Sequence, residues 1–372
     1  MKAVILSGGK GTRVQPLTFS MPKPMVPILE RPLIGHLLEV LKKNNFLEVM
    51  ITVSYKADII ENHYQSGREC GMQISYSMEG VLRDDKIVPE GLGSAGGLKK
   101  VQNNSQFFDE PFLVICGDAL IDLDLEEVMK FHKNHEGKAT IVCQEIAEAD
   151  VSKYGVVVRD ENKRITSFQE KPSLTEAKSN LINTGIYIFD PCILEYIPQG
   201  QAFDIGGELL PLMLEKNIEI YATSPKFQWL DVGTVSDFFE VNMMALENTI
   251  SNVLPTGEKI QDDIWMGSNC QIDFDSIEIS GPVYIGNSVK IEEGVKITGP
   301  CVIASHVVIT KNVSLNKVIV LEHTCIKEEA VFDTRIITPE YLCDPYAGYL
   351  EVKKENLGSM IENSRRYEIE MV

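Results

Sequence analysis

The chain has 372 residues, of which 44% are hydrophobic, so it can bury a large core or, as we expect, two domains. Its formal net charge of −19 argues against nucleic acid or an anionic membrane as a partner, because binding to a polyanion requires a basic field. No apolar run approaches the roughly 18 residues of a membrane span, and the eight cysteines include no C-x-x-C pair. We therefore expect a cytoplasmic protein without a zinc site or a disulfide framework.

The first part of the chain, 1–245, alternates short apolar runs with amphipathic stretches. Seven of the runs predict strands: AVILS (3–7), EVMITV (48–53), PFLVICGD (111–118), KATIVC (138–143), YGVVV (154–158), TGIYIF (184–189) and IEIYAT (218–223). The stretch RPLIGHLLEVLKKNN (31–45) predicts a helix with Pro32 in its first turn. This alternation predicts a doubly wound, Rossmann-like α/β domain with a mixed or parallel sheet, which binds ligands at the carboxyl ends of its strands.

The motif SGGKGTR (7–13) follows the first predicted strand and has the composition of a phosphate-binding loop. A Walker A loop needs Ser or Thr directly after its Lys, but Lys10 is followed by Gly11. A dinucleotide fingerprint counted from Gly9 needs a glycine where the chain has Val14. Both of these alternatives fail, and a loop of the form G-G-x-G-T-R remains.

Three glycines of this loop let backbone N–H groups approach an anion closely. They are Gly8, Gly9 and Gly11. Arg13 offers a planar fork for phosphate oxygens, and Lys23 offers a compact point charge. Pro22 and Pro24 flank Lys23, and we expect them to keep its backbone out of helix, which fixes where the ammonium can reach.

A different pattern begins beyond a polar connection at 246–262. Aliphatic residues recur at intervals of six: Ile279, Ile285, Ile291, Ile297, Ile303, Ile309, Leu315 and Leu321. Small or branched residues accompany them four positions later: Val283, Val289, Val295, Cys301, Val307, Val313, Ile319 and Cys325. This period is typical of a hexapeptide parallel β-helix. We predict a short left-handed parallel β-helix over 263–338, which exposes its ends and therefore favours a homo-oligomer, and a C-terminal tail over 339–372.

The ordered set of motifs resembles the sugar-1-phosphate nucleotidyltransferases, also called nucleotide-sugar pyrophosphorylases. The motifs that carry the resemblance are SGGKGTR (7–13), MPKPMVPI (21–28), GLGSAGGLKK (91–100), CGDALIDLDL (116–125), FQEKP (168–172), INTGIYIF (182–189), FDIGGELLP (203–211) and WLDVGT (229–234). The resemblance covers roughly 1–325 and identifies 1–245 as the catalytic domain. Two features depart from the usual pattern: Val14-Gln15 follows the GTR, and a longer segment, EGVLRDDKIVP (79–89), precedes the LGSAGG loop.

The resemblance implies a reaction in which a sugar-1-phosphate oxygen attacks the α-phosphorus of a nucleoside triphosphate and expels pyrophosphate. Two polyanions must then be aligned, so a divalent ion is expected. Asp118 and Asp231 each follow an apolar stretch, and together they are expected to hold one Mg²⁺ through carboxylate oxygens.

The resemblance also assigns the ligand-binding residues. Arg13 is expected to hold the outer phosphates, Lys23 to lie near the α-phosphate, and Lys171 to hold the sugar phosphate. The nucleotide is expected to contact Gly8, Gly9, Gly11, Thr12, Arg13, Glu90 and Gly96. The sugar phosphate is expected to contact Gly155, Glu170, Lys171 and Asn183.

Three alternatives remain open at this point. The substrates implied by LGSAGGLKK, CGDALIDLDL and FDIGGELLP are UTP and glucose-1-phosphate, whereas MPKPMVPI resembles the enzymes that use GTP and mannose-1-phosphate. A hexapeptide β-helix also occurs in acyltransferases, for which His306 or His323 could act as a base. A regulatory subunit without catalysis could keep the fold, but we would expect it to lack one of the five assigned catalytic residues.

Overall fold

The computed structural model describes residues 1–83, 86–89 and 91–366. They form two compact units. The α/β unit comprises Met1–Lys10, Met21–Met25 and Leu33–Trp229. The β-helix unit comprises Gly11–Ser20, Val26–Pro32 and the described residues from Leu230 onward. Two short segments near the N-terminus thus belong with the C-terminal part of the chain, a division that the sequence pattern did not indicate.

Six α-helices are present in the described residues: α1 Leu33–Lys43, α2 Ala57–Tyr64, α3 Gly93–Ser105, α4 Leu125–Lys133, α5 Leu210–Glu215 and α6 Val235–Leu246. The first fifteen strands are β1 Lys2–Ser7, β2 Pro27–Ile28, β3 Arg31–Pro32, β4 Glu48–Val53, β5 Gln73–Met78, β6 Gly80–Arg83, β7 Lys86–Pro89, β8 Phe112–Cys116, β9 Ala119–Ile121, β10 Ala139–Glu145, β11 Val156–Arg159, β12 Ile165–Gln169, β13 Leu181–Phe189, β14 Ile220–Thr223 and β15 Trp229–Asp231. Pro32 ends β3 and precedes α1, so its predicted place in the first helical turn is wrong.

Nine of the described strands form one mixed sheet in the α/β unit, with the path β12-β11-β13-β8-β1-β4-β5; β10 also pairs with β13, and β14 pairs with β10. The strands β8, β1, β4 and β5 run parallel to one another. Strand β13 runs antiparallel to β8 and to β10. All seven predicted strands occur, which confirms the mixed α/β sheet.

Helices cover both faces of this sheet. Ala3 and Ile5 of β1 pack with the apolar sides of α1, α2 and α4, whereas Val4 packs with α3 and α5 on the opposite face. Successive side chains of a strand point to opposite faces, so a strand buried on both sides is a continuous apolar run. The doubly wound architecture is therefore confirmed.

The remaining strands all lie beyond residue 257: β16 Glu258–Gln261, β17 Ile264–Met266, β18 Gln271–Ile272, β19 Glu278–Ser280, β20 Val283–Ile285, β21 Lys290–Ile291, β22 Lys296–Thr298, β23 Cys301–Ile303, β24 Val308–Ile309, β25 Ser314–Val320, β26 Thr324–Ile326, β27 Val331–Ile337, β28 Tyr341–Asp344, β29 Gly348–Glu351 and β30 Ile361–Asn363. From β17 to β27 they stack in parallel along three faces. This parallel stacking confirms a β-helix, and its interior is filled by the predicted aliphatic residues as far as Leu315.

The six-residue series ends before the last coil. Val283 pairs with Cys301, eighteen residues later, but Val302 pairs with Ile319, only seventeen residues later. One corner is shorter: Lys317 alone, at φ 50°, lies where Gly299 and Pro300 form the preceding corner. The interior positions predicted at Ile319, Leu321 and Cys325 are therefore each one residue too late. Val318 and Val320 fill the interior in place of the first two, and the fully buried Thr324 takes the position predicted for Cys325.

The C-terminal residues continue the strand-rich structure. β27 and β28 pair antiparallel, β28 and β29 form a hairpin, and β30 pairs antiparallel with β26. The boundaries predicted at 245, 262 and 338 stay predictions. None of the described helices has the length and apolar character needed to cross a membrane.

Candidate functional site

The five predicted catalytic residues are distributed over both units. Lys23, Asp118 and Lys171 belong to the α/β unit, whereas Arg13 and Asp231 belong to the β-helix unit. Within each unit the structure brings a cation and a carboxylate together.

Lys23 and Asp118 form a direct ion pair in the α/β unit. The Lys23 Nζ donates to Asp118 Oδ2 over 2.7 Å. The side chain of Lys23 is 10% exposed and that of Asp118 is 37% exposed, so the ammonium is the more deeply buried partner. Because an ammonium out of water needs a counter-charge, Asp118 stabilises Lys23 in this position. The sequence suggested both residues but not that they bind each other.

The backbone around Lys23 differs from the prediction. Lys23–Met25 forms one turn of 3-10 helix, in which Met25 N donates to Pro22 O over 2.9 Å. The expectation that the flanking prolines keep Lys23 out of helix is therefore wrong. A single 3-10 turn needs only this one bond, so the N–H missing from Pro24 is not required.

Gly117 places Asp118 next to the end of β1. Gly117 N donates to Leu6 O over 2.9 Å. A Cβ on Gly117 would lie 2.6 Å from Ser7 Oγ and 3.0 Å from Leu6 O, so only glycine allows this approach. The carboxyl ends of β8 and β1 are thus adjacent, as the doubly wound topology requires for a ligand site.

A different structural feature accounts for each glycine of the phosphate-binding loop. A Cβ on Gly8 would lie 2.7 Å from the Glu79 carboxylate, and Gly11 has φ 62°, which favours glycine. A Cβ on Gly9 would meet no atom within 4 Å. Since neither packing nor φ demands a glycine there, the open space above Gly9 is consistent with close approach of a ligand.

Glu79 is a buried carboxylate beside this loop that the sequence did not indicate. It lies against both Gly8 and Gly97, and its side chain bonds to Thr52. Burial raises the pKa of Glu79, and the bond from Thr52 and the charge of Lys100 oppose that rise. A lone Glu in a polar stretch gives no signal of burial, so only the fold could identify it.

Glu170 lies in a space bounded by two glycines. A Cβ on Gly206 would be 2.9 Å from Glu170 Oε2, and one on Gly155 would be 3.2 Å from the same atom. The ring of Phe168 also lies 2.6 Å from the Cβ position of Gly155. The structure thus brings together two of the four predicted sugar-binding residues, Glu170 and Gly155, and adds Gly206.

Lys171 follows Glu170 in an unusual backbone conformation. Its φ is 42°, and its exposed Nζ lies 3.5 Å from Glu170 Oε1. A positive φ in a non-glycine residue costs about 1–3 kcal/mol, and such strain clusters at functional sites. β12 ends at Gln169, two residues before Lys171.

Asn183 makes two internal hydrogen bonds. Its Nδ2 donates to Tyr187 Oη over 2.8 Å, and its Oδ1 accepts from Gly185 N over 3.0 Å. Full burial raises the pKa of Tyr187 well above its usual value, so this hydroxyl stays protonated. An amide has two N–H donors and two acceptor lone pairs, so these bonds orient Asn183 without using its full capacity.

The predicted nucleotide-binding residues near α3 are only partly described. Gly96 N donates to Phe203 O over 2.9 Å, and a Cβ on Gly96 would lie 2.9 Å from Gln201 O. Glu90 lies outside the described residues. In the longer segment before it, strands β6 and β7 pair antiparallel, with Gly80 opposite Pro89.

Arg13 and Asp231 lie together within the β-helix unit. A Cβ on Gly233 would be 3.2 Å from Asp231 Oδ2 and 3.7 Å from Arg13 Nη1. Both groups are therefore within 4 Å of one point, beside the start of α6. Thr234 and Asp237 form a capping box there, which fixes the backbone that follows Asp231. Thr12 begins a 3-10 turn with Arg13, and both are exposed.

His306 and His323, the candidates for acyl transfer, lie in the β-helix. Their rings stack at 5.0 Å, and Ser364 bonds to the backbone carbonyl of each. Both have positive φ, at 60° and 61°. They occupy corner positions fixed by the backbone, which favours a structural role.

Comparison with known proteins gives the family. The family model described as nucleotidyl transferase matches residues 2–248. The UTP–glucose-1-phosphate uridylyltransferase of Synechocystis is 47% identical over 295 residues, which are 79% of this chain and 76% of that protein. The mannose-1-phosphate guanyltransferase beta-B of Xenopus laevis is 37% identical over 67% of this chain, and the match spans 65% of that protein, less than two thirds.

A solved structure has a similar fold. It is described as a glucose-1-phosphate thymidylyltransferase of Bacillus anthracis, and it is 24% identical with a TM-score of 0.56. The match covers 65% of this chain and 94% of that one. With the family match over most of the α/β unit, these likenesses establish that the chain belongs to the nucleotidyl transferase family.

Proposed function

We propose that the chain transfers a nucleotidyl group from UTP to glucose-1-phosphate and releases UDP-glucose and pyrophosphate. The observation that carries the choice of substrates is the 47% identity to the Synechocystis uridylyltransferase over 79% of the chain. The GTP-dependent mannose-1-phosphate relative is 37% identical over 67% of the chain. The class of reaction rests on the family, and the substrates rest on the higher of these two likenesses.

In this reaction an oxygen of the sugar phosphate forms a bond to the α-phosphorus, and the bond from that phosphorus to the pyrophosphate oxygen breaks. The attacking oxygen is already anionic, so no base is needed. The residues mainly have to hold two polyanions in line and balance their charge. We assign Arg13 to the outer phosphates and the departing pyrophosphate, Lys23 to the α-phosphate and Lys171 to the sugar phosphate.

The pairing of Lys23 with Asp118 supports its assignment. The bond from Lys23 Nζ to Asp118 Oδ2 fixes the position of the ammonium. Asp118 thereby holds the ammonium at the carboxyl end of β8, where it would balance the negative charge of the α-phosphate.

Asp118 and Asp231 suit Mg²⁺, because carboxylate oxygens are the hard donors that this ion prefers. When bound, the ion would neutralise phosphate charge and polarise the α-phosphorus. The bond from Lys23 engages Asp118 Oδ2, so we assign Oδ1 to the metal. No cluster of three or more His, Cys, Asp or Glu side chains suited to a metal occurs in the described part of the chain, so phosphate and water oxygens would complete the shell.

The remaining predicted contacts are proposed in the same roles. Gly8, Gly9, Gly11, Thr12 and Gly96, with Glu90 outside the described residues, would contact the nucleotide. Glu170, Asn183 and the backbone of Gly155 would contact sugar hydroxyls. A sugar epimer that leaves one of these polar groups unpaired is rejected, which is how such a site selects its sugar.

The test is a grid of reactions with purified protein and Mg²⁺. The four common nucleoside triphosphates are each combined with the 1-phosphates of glucose, mannose, galactose and N-acetylglucosamine, and pyrophosphate release is measured. We expect the highest kcat/KM with UTP and glucose-1-phosphate. A higher value with GTP and mannose-1-phosphate would overturn the substrates, and no release in any reaction would overturn the activity.

We also propose that the β-helix unit makes the protein a homo-oligomer, because a short stack leaves its ends exposed. Light scattering after size-exclusion chromatography tests this with and without substrates. A strict monomer under both conditions would contradict it.

A further inference from the structure

The C-terminal hairpin β28–β29 contacts the segment that carries Arg13. Phe19 lies in the same segment, Gly11–Ser20, and its ring packs against Tyr341 at 5.7 Å and against Tyr349 at 6.0 Å. The two tyrosine rings also contact each other, edge to face, at 5.5 Å. These three side chains, the aromatic trio, join two parts of the β-helix unit that are more than three hundred residues apart.

The same hairpin also contacts α6. The Tyr346 hydroxyl donates to the Glu240 carboxylate, and its ring lies 6.3 Å from that of Phe239. α6 begins at Val235, two residues after Gly233, the position around which Arg13 and Asp231 lie. The hairpin therefore contacts the segment that carries Arg13 and the helix that follows Asp231 in the chain.

The backbone between Phe19 and Arg13 is tightly connected. Phe19 N donates to Pro16 O over 3.0 Å, and Thr18 Oγ1 donates to Gly11 O over 2.9 Å. Val14, directly after Arg13, is fully buried. A short segment closed by such bonds moves as one piece, so a shift of Phe19 is transmitted to Arg13.

We infer that the β28–β29 hairpin is a positioning element for Arg13, with Phe19 as the positioning residue through which it acts. The inference rests on the proposed role of Arg13 in binding the outer phosphates. The hairpin holds the Arg13 segment through the aromatic trio and holds α6 through Tyr346. It therefore sets the guanidinium beside Asp231 before the triphosphate binds, which reduces the ordering that binding requires.

The kinetic test compares Phe19→Leu with Tyr341→Phe and Tyr349→Phe, which keep both tyrosine rings. Phe19→Leu is expected to raise KM for the nucleoside triphosphate about three- to tenfold, the size expected for the loss of an aromatic contact. KM for the sugar phosphate should stay unchanged, because Lys171 lies elsewhere in the chain. The two Tyr→Phe variants should have the KM values of the unchanged protein. Phe19→Tyr, which keeps an aromatic ring, should also have them.

A second measurement does not depend on activity. Trypsin cleaves after Lys10 and Arg13, and mass spectrometry of the released peptides reports how often this segment opens. Faster cleavage at these two sites in Phe19→Leu, with an unchanged melting temperature, is the expected result. If Tyr341→Leu and Tyr349→Leu leave unchanged both the rate of cleavage at these two sites and the KM for the nucleoside triphosphate, the inference is wrong. If the unchanged protein releases no pyrophosphate, the proposed function fails, while the trypsin result still decides whether the hairpin holds the segment.

Discussion

The two units of the molecule each place a cation beside a carboxylate, but with different burial. In the α/β unit, the Lys23 ammonium is nearly enclosed and bonds to Asp118 over 2.7 Å. In the β-helix unit, Arg13 is exposed, and it lies with Asp231 around Gly233 at the start of α6. The Lys23 cation is therefore buried and the Arg13 cation exposed, whereas Asp118 and Asp231 are both half-buried.

This difference in burial indicates which pair contributes to the stability of the fold. Breaking a buried pair strands an unsolvated charge, whereas an exposed pair adds little to stability because water screens it. We therefore expect substitutions of the first pair to change both stability and activity. Substitutions of the second pair should change activity alone.

The largest expected effect is at Asp118. Asp118→Ala should lower kcat at least about 100-fold and lower the free energy of unfolding by about 1–3 kcal/mol, because it removes the carboxylate that accepts from the buried Lys23 ammonium. Asp118→Asn keeps an oxygen for Lys23 and should lose the activity with a much smaller loss of stability. Chemical denaturation and pyrophosphate release measure the two effects. Equal stability of both variants would show that the pair does not support the fold.

Arg13→Ala tests the exposed side of the comparison. KM for the nucleoside triphosphate should rise about 10- to 100-fold, since charge-assisted bonds to phosphate are lost. The free energy of unfolding should change by less than about 0.5 kcal/mol. Arg13→Lys keeps the charge but not the planar fork, so it should recover only part of the affinity. A loss of stability as large as that of Asp118→Ala would remove the contrast between the pairs.

Lys171 extends the comparison to an exposed lysine with a strained backbone. Lys171→Ala should raise KM for the sugar phosphate about tenfold and leave KM for the nucleotide unchanged. Lys171→Gly should have the same kinetic effect and yet unfold at a higher temperature, because glycine adopts φ 42° without strain. Steady-state kinetics measure the two KM values, and thermal unfolding measures the difference in unfolding temperature. Equal changes in both KM values would contradict the assignment.

The smallest expected effect concerns the register of the β-helix. Val320 is fully buried in the interior, whereas Leu321 is half-buried outside the interior cluster. Val320→Ala should cost about 2 kcal/mol of stability, and Leu321→Ala less than about 1 kcal/mol although it removes more atoms. If urea denaturation instead shows the larger loss of stability for Leu321→Ala, the interior follows the unbroken interval of six and the shorter corner at Lys317 is wrong.

The sequence predicted periodic features better than contacts between distant residues. The apolar runs predicted seven strands of the sheet, and the interval of six predicted the interior of the β-helix as far as Leu315. The shorter corner at Lys317 was not apparent, because a single missing residue leaves the aliphatic character of 318–321 unchanged. The bond between Lys23 and Asp118 and the burial of Glu79 depend on strands far apart in sequence, which no local pattern reports.

The assignment of Gly11–Ser20 to the β-helix unit was also beyond the sequence. It depends on Phe19 meeting two tyrosines of a segment whose function could not be read from its composition. The motif GTR singled out Arg13 as a candidate, but not the elements that hold it. Its role, like those of the other predicted site residues, stays a prediction until it is tested.

If Asp118 and Asp231 hold one magnesium ion, both pairs serve the same bound triphosphate. Iron(II) in place of magnesium, with ascorbate and peroxide, cleaves the backbone beside metal ligands, and mass spectrometry locates the cuts. With the nucleoside triphosphate present, we expect cuts near both 118 and 231, and the loss of both in Asp118→Asn. Cuts near only one of these residues, in protein that still releases pyrophosphate, would contradict a shared metal site.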